Sequence, residues 1–555
     1  MKKIISLILF VISFCNYSSK AQLLHNKQTF TKADTLRGKL TQLRTCYDVT
    51  YYDLKIAIDT TTQSIKGSNT IYFKSVTDFN KLQVDLFENM QVDKILFEQK
   101  PVAYKREFGA IYISLPKTVT ASQSSSITIY YSGKPTVGKI LPWDGGFKWT
   151  YDDAGYPWIA VACQGTGASL WWPCKEHQSD EPDSMQISVT VPKGLMNVSN
   201  GRLLEVIDTS KTADTYKWFV SYPINNYNVT FNVGKFEKFS DVYESESRKK
   251  LTLDYYVKSY NLEKAKTHFE QVKPMLQCFE KYFGDYPFYR DGYKLVETPY
   301  LGMEHQSAIA YGNEYKTGYA GTDFSGIGQT WDYIIIHETA HEWWGNNITT
   351  KDIADMWVHE GFGSYSEALY VECTANSATA IRYLNAQKKK VKNDLPVVGP
   401  CDVNCEGSGD MYAKGSLMLH TIRNIIADDD VWFSIIKGLQ KDFAMQTVTT
   451  AQIENYIAKK SDKNLSKVFD QYLRYKDLPV FEYRVKSETP FAIEYKWKAD
   501  VEGFDMPVKA TTGIGVREFI YPTPQWQTLE MPNLSQKNFK VAEDLFFIKV
   551  KEVKE

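Results

Sequence analysis

Trp331-Asp332-Tyr333-Ile334-Ile335-Ile336-His337-Glu338-Thr339-Ala340-His341-Glu342-Trp343-Trp344-Gly345 is the stretch from which the rest of the chain is read. Its apolar run predicts a buried helix over 329–344, and Gly345 is placed to end it. Residues four apart on a helix share a face, so the imidazoles of His337 and His341 reach one cation about 2 Å from each ring nitrogen. Glu338 then lies beside the fourth coordination position. Only eight histidines occur in the chain, which makes a chance match to this five-residue pattern rare.

A third ligand follows nineteen positions beyond His341, at Glu360 in Trp357-Val358-His359-Glu360-Gly361-Phe362-Gly363. Two histidines and one glutamate leave a tetrahedral zinc site with one open position, the catalytic arrangement. His359 competes for the same place. The two side chains point about 100° apart on a helix, so only one of them faces the metal. Glu367, two turns beyond Glu360, and Asn346 are candidates for orienting the ligand histidines.

Outward from this centre the texture divides the chain into three. From Tyr51 to Phe239 short alternating runs such as Tyr52–Ile58, Thr70–Phe73 and Ser126–Tyr131 read as antiparallel strands. Within them, residues 134–160 form a Gly-, Pro- and Trp-rich loop of the kind that carries function. Helical periodicity then runs through 262–283, 329–344, 355–373, 416–427 and 450–475. Alternating runs return after Pro479. The expected fold is multidomain α+β, with an N-terminal all-β domain at 22–238, an α-rich catalytic domain at 239–478 and a small C-terminal β-sandwich at 479–555.

Lys plus Arg number 65 against 66 for Asp plus Glu, leaving no field to gather nucleic acid. Residues 1–21, basic, then apolar, then small, read as a signal peptide, so the chain is expected to be exported to the periplasm or beyond. No later apolar run is long enough to span a bilayer. Phe14 is bulky where a lipobox wants a small residue, so anchoring through Cys15 is the lesser alternative. Of the remaining seven cysteines, Cys401 with Cys405 or Cys163 with Cys174 are the pairs suggested for disulfides.

The zinc pattern, together with Tyr412-Ala413-Lys414-Gly415 and Gly302-Met303-Glu304, resembles the gluzincin family of aminopeptidase N and leukotriene hydrolase. Tyr51–Leu54, Phe283–Pro287 and Phe469–Leu473 are similar to the family's first strand, its turn before the exopeptidase segment and the end of its catalytic domain. The resemblance implies a saddle-like β domain before a thermolysin-like one, with zinc on His337, His341 and Glu360. It also implies a zinc-bound water activated by Glu338, and Tyr412 facing the oxyanion. Glu304 would receive the substrate's free α-amino group, with Gly302, Met303 and Gln164 completing the substrate site. Leu301 and His305 depart from the family pattern, which expects Gly and Asn there. Larger members carry a long helical C-terminal region after the catalytic domain, and its absence here implies a more open cleft.

The activity implied is that of an exported zinc aminopeptidase acting on peptides with a free N-terminus. An endopeptidase or epoxide-opening hydrolase on the same metal site, and a non-catalytic peptide-binding relative, are the alternatives. Trp171, Trp172, Trp343 and Trp344 are read as core.

Overall fold

In the computed structural model, residues 29–554 are described, so the signal-peptide reading and Cys15 lie outside the described residues. An eight-stranded mixed sheet forms the first layer. Its centre is the strand Tyr47–Asp59, which runs antiparallel to Ser64–Ser75 and parallel to Ser184–Pro192. Strict alternation buries Tyr52, Leu54 and Ile56 on one face of that strand, the period-two pattern of a half-buried strand. A three-stranded and a four-stranded sheet cover it, and the latter contains Pro157–Ala162 and Phe231–Gly234.

The second region opens on a five-stranded sheet ordered Glu237–Glu244, Lys250–Val257, Tyr293–Glu297, Ile309–Tyr311 and Gly302–Met303. The expected boundary at 238/239 falls inside the first of these strands. The edge strand Glu237–Glu244 is largely exposed, whereas the three strands from Tyr293 to Tyr311 are buried on both faces. Leu253, Tyr255, Leu295, Ile309 and Tyr311 face the helical core, while Tyr256, Val296, Met303 and Ala310 join the core of the β domain. Alternation along each strand thereby joins the two regions.

Five helices matter for the site: α1 (Val272–Phe283), α2 (Tyr333–Ala340), α3 (Trp357–Thr374), α4 (Ser377–Gln387) and α5 (Ala413–Ile426). Helix α2 starts four residues later than its apolar pattern suggests because Asp332 caps it, accepting from the N–H groups of Ile334 and Ile335. Asp332 is held in turn by His268, Tyr311 and Asn313. After Lys476 the chain forms a four-stranded sheet and a two-stranded ribbon; Phe481 and Trp497 of the sheet, with Phe504 and Phe546 of the connecting loops, merge with the helical core.

The disulfide differs from both expected pairs. Cys278 of α1 bonds Cys373 of α3, whereas Cys163 and Cys174 are buried thiols and Cys401 an exposed one. Residues 95 apart in sequence carry no local signature of pairing, and the helix crossing brings them together. Trp171, Trp172, Trp343 and Trp344 are fully enclosed core residues, as expected. Among the described residues no helix is long and apolar enough to cross a membrane.

Candidate active site

Helices α2 and α3 cross so that His337, His341 and Glu360 converge with all three side chains buried. The two histidine Nε2 atoms stand 3.3 Å apart, and Glu360 Oε2 lies 3.6 and 3.5 Å from them. Nitrogens bound to one tetrahedral zinc at about 2.0–2.1 Å would be separated by about 3.4 Å. The other ring nitrogens decide the tautomers. His337 Nδ1 sits 2.7 Å from Glu367 Oε1, and His341 Nδ1 sits 2.8 Å from the Trp344 carbonyl. Both Nδ1 atoms therefore donate, which in the neutral imidazoles leaves the two Nε2 lone pairs facing each other. Glu360 Oε2 is likewise buried without a hydrogen-bond partner. Three unpaired donors at this spacing fit a zinc ion.

Of the two expected orienting residues, Glu367 touches a ligand and Asn346 does not. Asn346 instead accepts from Asn228 at 2.6 Å and donates to the Glu304 carbonyl at 2.9 Å. A backbone carbonyl took the role because the chain turns sharply after α2, presenting Trp344 to the imidazole. His359 is turned away from the cluster. Its Nε2 accepts from the Thr350 N–H at 2.8 Å, and burial pushes it down to about 3.

Two close backbone approaches set the geometry. Gly361, next to Glu360, meets Gly415 where α3 crosses α5, and a Cβ on Gly415 would lie 2.9 Å from the Gly361 Cα. This contact brings Tyr412, at the start of α5, over His337, with ring centroids 6.1 Å apart. Lys414 points the other way and donates to the carbonyls of Tyr475 and Lys476. Gly302, on the edge strand beside α2, leaves room for Glu338, since a Cβ there would lie 2.8 Å from Glu338 Oε1 and 2.6 Å from Ile334 Cγ2.

Glu304 comes directly after that strand and is buried. Gln164, from the β domain, donates its amide to Glu304 at 2.6 Å and to Glu360 at 3.1 Å. Tyr227, which no sequence pattern singled out, donates to Glu304 at 3.3 Å. Burial pushes Glu304 up to about 8; His341 opposes the shift, and Glu360 and Glu338 add to it. Burial also raises Glu338 and holds the Tyr412 phenol far above its ordinary range, so Tyr412 stays a proton donor. His305 is enclosed with both ring nitrogens unpartnered and lies outside the cavity lining.

His337, His341, Glu360, Glu338, Glu304, Gln164 and Tyr412 line one cavity of about 840 Å³. Its walls include Met303, Leu301, Tyr319, Phe324 and Tyr333, and the β domain adds Pro142 and Trp143 from the loop singled out by its composition. A buried two-histidine, one-glutamate cluster with a carboxylate on its helix, set in a cleft between a β domain and a helical domain, defines the gluzincin class of metallopeptidases.

Comparison with known proteins agrees. Residues 267–472 match the model of the Peptidase family M1 domain, and residues 49–227 that of the Peptidase M1 N-terminal domain. The chain belongs to peptidase family M1. It is 21% identical to a leucyl aminopeptidase of Saccharolobus solfataricus, over 79% of this chain and 55% of that one. With leukotriene A-4 hydrolase of Xenopus laevis it shares 22% identity over 74% of this chain and 68% of that one. The chain spans about half the length of the archaeal aminopeptidases it matches. An M1 zinc metallopeptidase from Deinococcus radiodurans, solved with a Tyr-Ser-Ala substrate, superposes with a TM-score of 0.63 at 18% identity, over 78% of this chain and 95% of that one.

Proposed function

We propose that the protein is an exported zinc aminopeptidase that removes the N-terminal residue of peptides. The observation that carries this reading is the buried Glu304 carboxylate, fixed by Gln164 and Tyr227 beside the metal-ligand cluster. A carboxylate buried at the end of a peptide cleft selects for a cationic amine, because an acylated N-terminus would leave it unpaired.

Zinc held by His337, His341 and Glu360 would supply Lewis acidity for polarising the scissile carbonyl and acidifying water. The chain's own residues do the rest. Glu338, its basicity raised by burial, takes the proton of the attacking water and returns it to the leaving amine. Tyr412 donates its phenolic proton in a hydrogen bond that strengthens as negative charge grows on the carbonyl oxygen. Glu304, with Gln164 and Tyr227, holds the α-ammonium so that only the first peptide bond reaches the cluster. Export rests on the order of residues 1–21 and on the Cys278–Cys373 bond, which suits an oxidising compartment.

Hydrolysis of free and N-acetylated aminoacyl amides, with and without chelator, tests the reading. The free amides should be cleaved, the acetylated ones spared, and chelator should stop turnover. Glu338→Gln should lower kcat by about 10²–10⁴-fold while zinc content stays at that of the unaltered protein. Equal rates on acetylated amides, or turnover indifferent to chelator, would refute it.

A further inference from the structure

Tyr227 stands between two groups that compete for its single proton. Its hydroxyl oxygen lies 3.3 Å from Glu304 Oε1 and 3.4 Å from His359 Nδ1. A phenol donates once and accepts through its lone pairs, so it serves both neighbours only if one of them is a donor. The far side of the imidazole decides which one. His359 Nε2 accepts from the Thr350 N–H at 2.8 Å. A backbone N–H has only a proton to give, so Nε2 is the bare nitrogen and the ring proton sits on Nδ1. Nδ1–H then donates to the Tyr227 oxygen, and the phenolic proton is turned toward Glu304. The bonds run in one direction: Thr350 to His359, His359 to Tyr227, Tyr227 to Glu304.

Packing holds this order. The Tyr227 and His359 rings lie within 23° of parallel, with centroids 6.4 Å apart. Gly345 also approaches the imidazole so closely that a Cβ there would lie 3.2 Å from His359 Nδ1. Thr350, His359 and Tyr227 are all buried, and hydrogen bonds shielded from water are strong and costly to leave unmade. At the end of the chain of bonds, Tyr227 and the Gln164 amide meet Glu304 on the same oxygen, Oε1. Two donors on Oε1 fix the rotation of the carboxylate and leave Oε2 for a ligand. A carboxylate oxygen of Glu304 lies within 4.8 Å of Glu338 and of a His341 ring nitrogen, so the group held in this way borders the metal-ligand cluster.

We infer that His359 is a positioning residue for substrate: by donating to Tyr227 it turns the Tyr227 proton onto Glu304 and sets the carboxylate that receives the α-amine. This inference rests on the aminopeptidase reading and adds to it the residue that aims the amine site. It gives a role to a histidine that stands next to the ligand Glu360 and yet faces away from the metal cluster. A carboxylate already oriented loses less freedom when the ammonium arrives, so the effect appears as selectivity for the amine.

The test compares leucine hydroxamate with 4-methylpentanoyl hydroxamate, which differ only in the α-amine, as competitive inhibitors of leucine p-nitroanilide hydrolysis. The ratio of their inhibition constants reads the amine site, because the metal-binding group is common to both. The wild-type protein should prefer the amine-bearing inhibitor. His359→Leu and Tyr227→Phe should each cut that preference about three- to tenfold, leaving the constant for the amine-free inhibitor unchanged. His359→Asn, which presents an N–H at the place of Nδ1, should restore most of it. In the Tyr227→Phe protein, His359→Leu should change the ratio no further, because its effect runs through Tyr227. His359→Met takes the place of the leucine variant should that protein not fold. A wild-type ratio in the His359 variant, or single losses that multiply in the double variant, overturns the assignment and leaves the aminopeptidase reading standing. Equal weakening of both inhibitors also overturns it, since that marks damage to the metal site. Equal inhibition of the wild-type protein by the two hydroxamates counts against the aminopeptidase reading itself and removes the amine site that His359 is assigned to serve.

Discussion

Glu367 never needs to meet substrate, yet it fixes one of the metal ligands. It accepts the Nδ1 proton of His337 at 2.7 Å and is itself held by Tyr383 at 2.6 Å and Gln387 at 3.4 Å. Replacing it by Gln keeps the shape and removes the charge that makes the imidazole a stronger donor to a cation. Loss of such an acceptor typically costs 10–100-fold in metal affinity. Glu367→Gln should therefore lose zinc to a competing chelator at about 10–100-fold lower chelator concentration, with the helical fold unchanged by circular dichroism. Retention of wild-type affinity would show that Glu367 only packs α3 against α4. At this scale the sequence was informative where chemistry is spaced along one helix. His337, His341 and Glu360 are legible because helical geometry fixes which residues share a face. Tyr227 and the Trp344 carbonyl were not. A tyrosine 77 positions from Glu304 has no spacing to betray it, and a backbone carbonyl has no residue type at all.

Between elements the governing feature is the crossing of α3 and α5. Gly361 and Gly415 meet there with backbone almost touching, and the contact sets the distance between Glu360 on one helix and Tyr412 at the start of the other. Alanine at 415 would gain about 1 kcal/mol of intrinsic helix preference. Against that stands a Cβ 2.9 Å from the Gly361 Cα, and overpacking of a closed core costs about 1–3 kcal/mol. The clash is with backbone, which no rotamer change relieves, so the steric cost outweighs the gain in helix preference. Gly415→Ala should lower Tm and, by forcing the helices apart, lower kcat as well. A variant with raised Tm and wild-type kcat would mean that the crossing has slack. The helices were legible from their 3.6-residue period, but their crossing was not, since the closeness of two glycines so far apart in the chain is a property of tertiary packing. The Cys278–Cys373 bond between α1 and α3 was hidden for the same reason.

Across the whole molecule, the cavity exists only while the β domain is seated on the helical domain. Gln164, Tyr227 and Trp143 come from one, and the metal ligands, Glu304 and Tyr412 from the other. Polar contacts hold the seam: Asn228 with Asn346, Asn200 with the Gln306 carbonyl, and Glu181 with Asn225 and Thr349. Glu181 makes this seam sensitive to pH. Burial pushes its carboxyl from 4.5 up to about 7, against the pull of Thr349 and Asn225, while Asp180 adds to the rise. A group whose folded pKa is raised favours the folded state most when protonated in both states. Its contribution is complete below about pH 4.5 and is lost as pH climbs through about 7. Gln at this position keeps the oxygen that accepts from Asn225 and carries no charge to bury. Glu181→Gln should therefore match the wild type in Tm near pH 4.5 and exceed it near about pH 8, the gap opening between those values. Differential scanning calorimetry of both proteins across this range checks the sign: a gap that is constant with pH, or that closes as pH rises, would show that Glu181 is solvated and that the seam does not depend on its protonation.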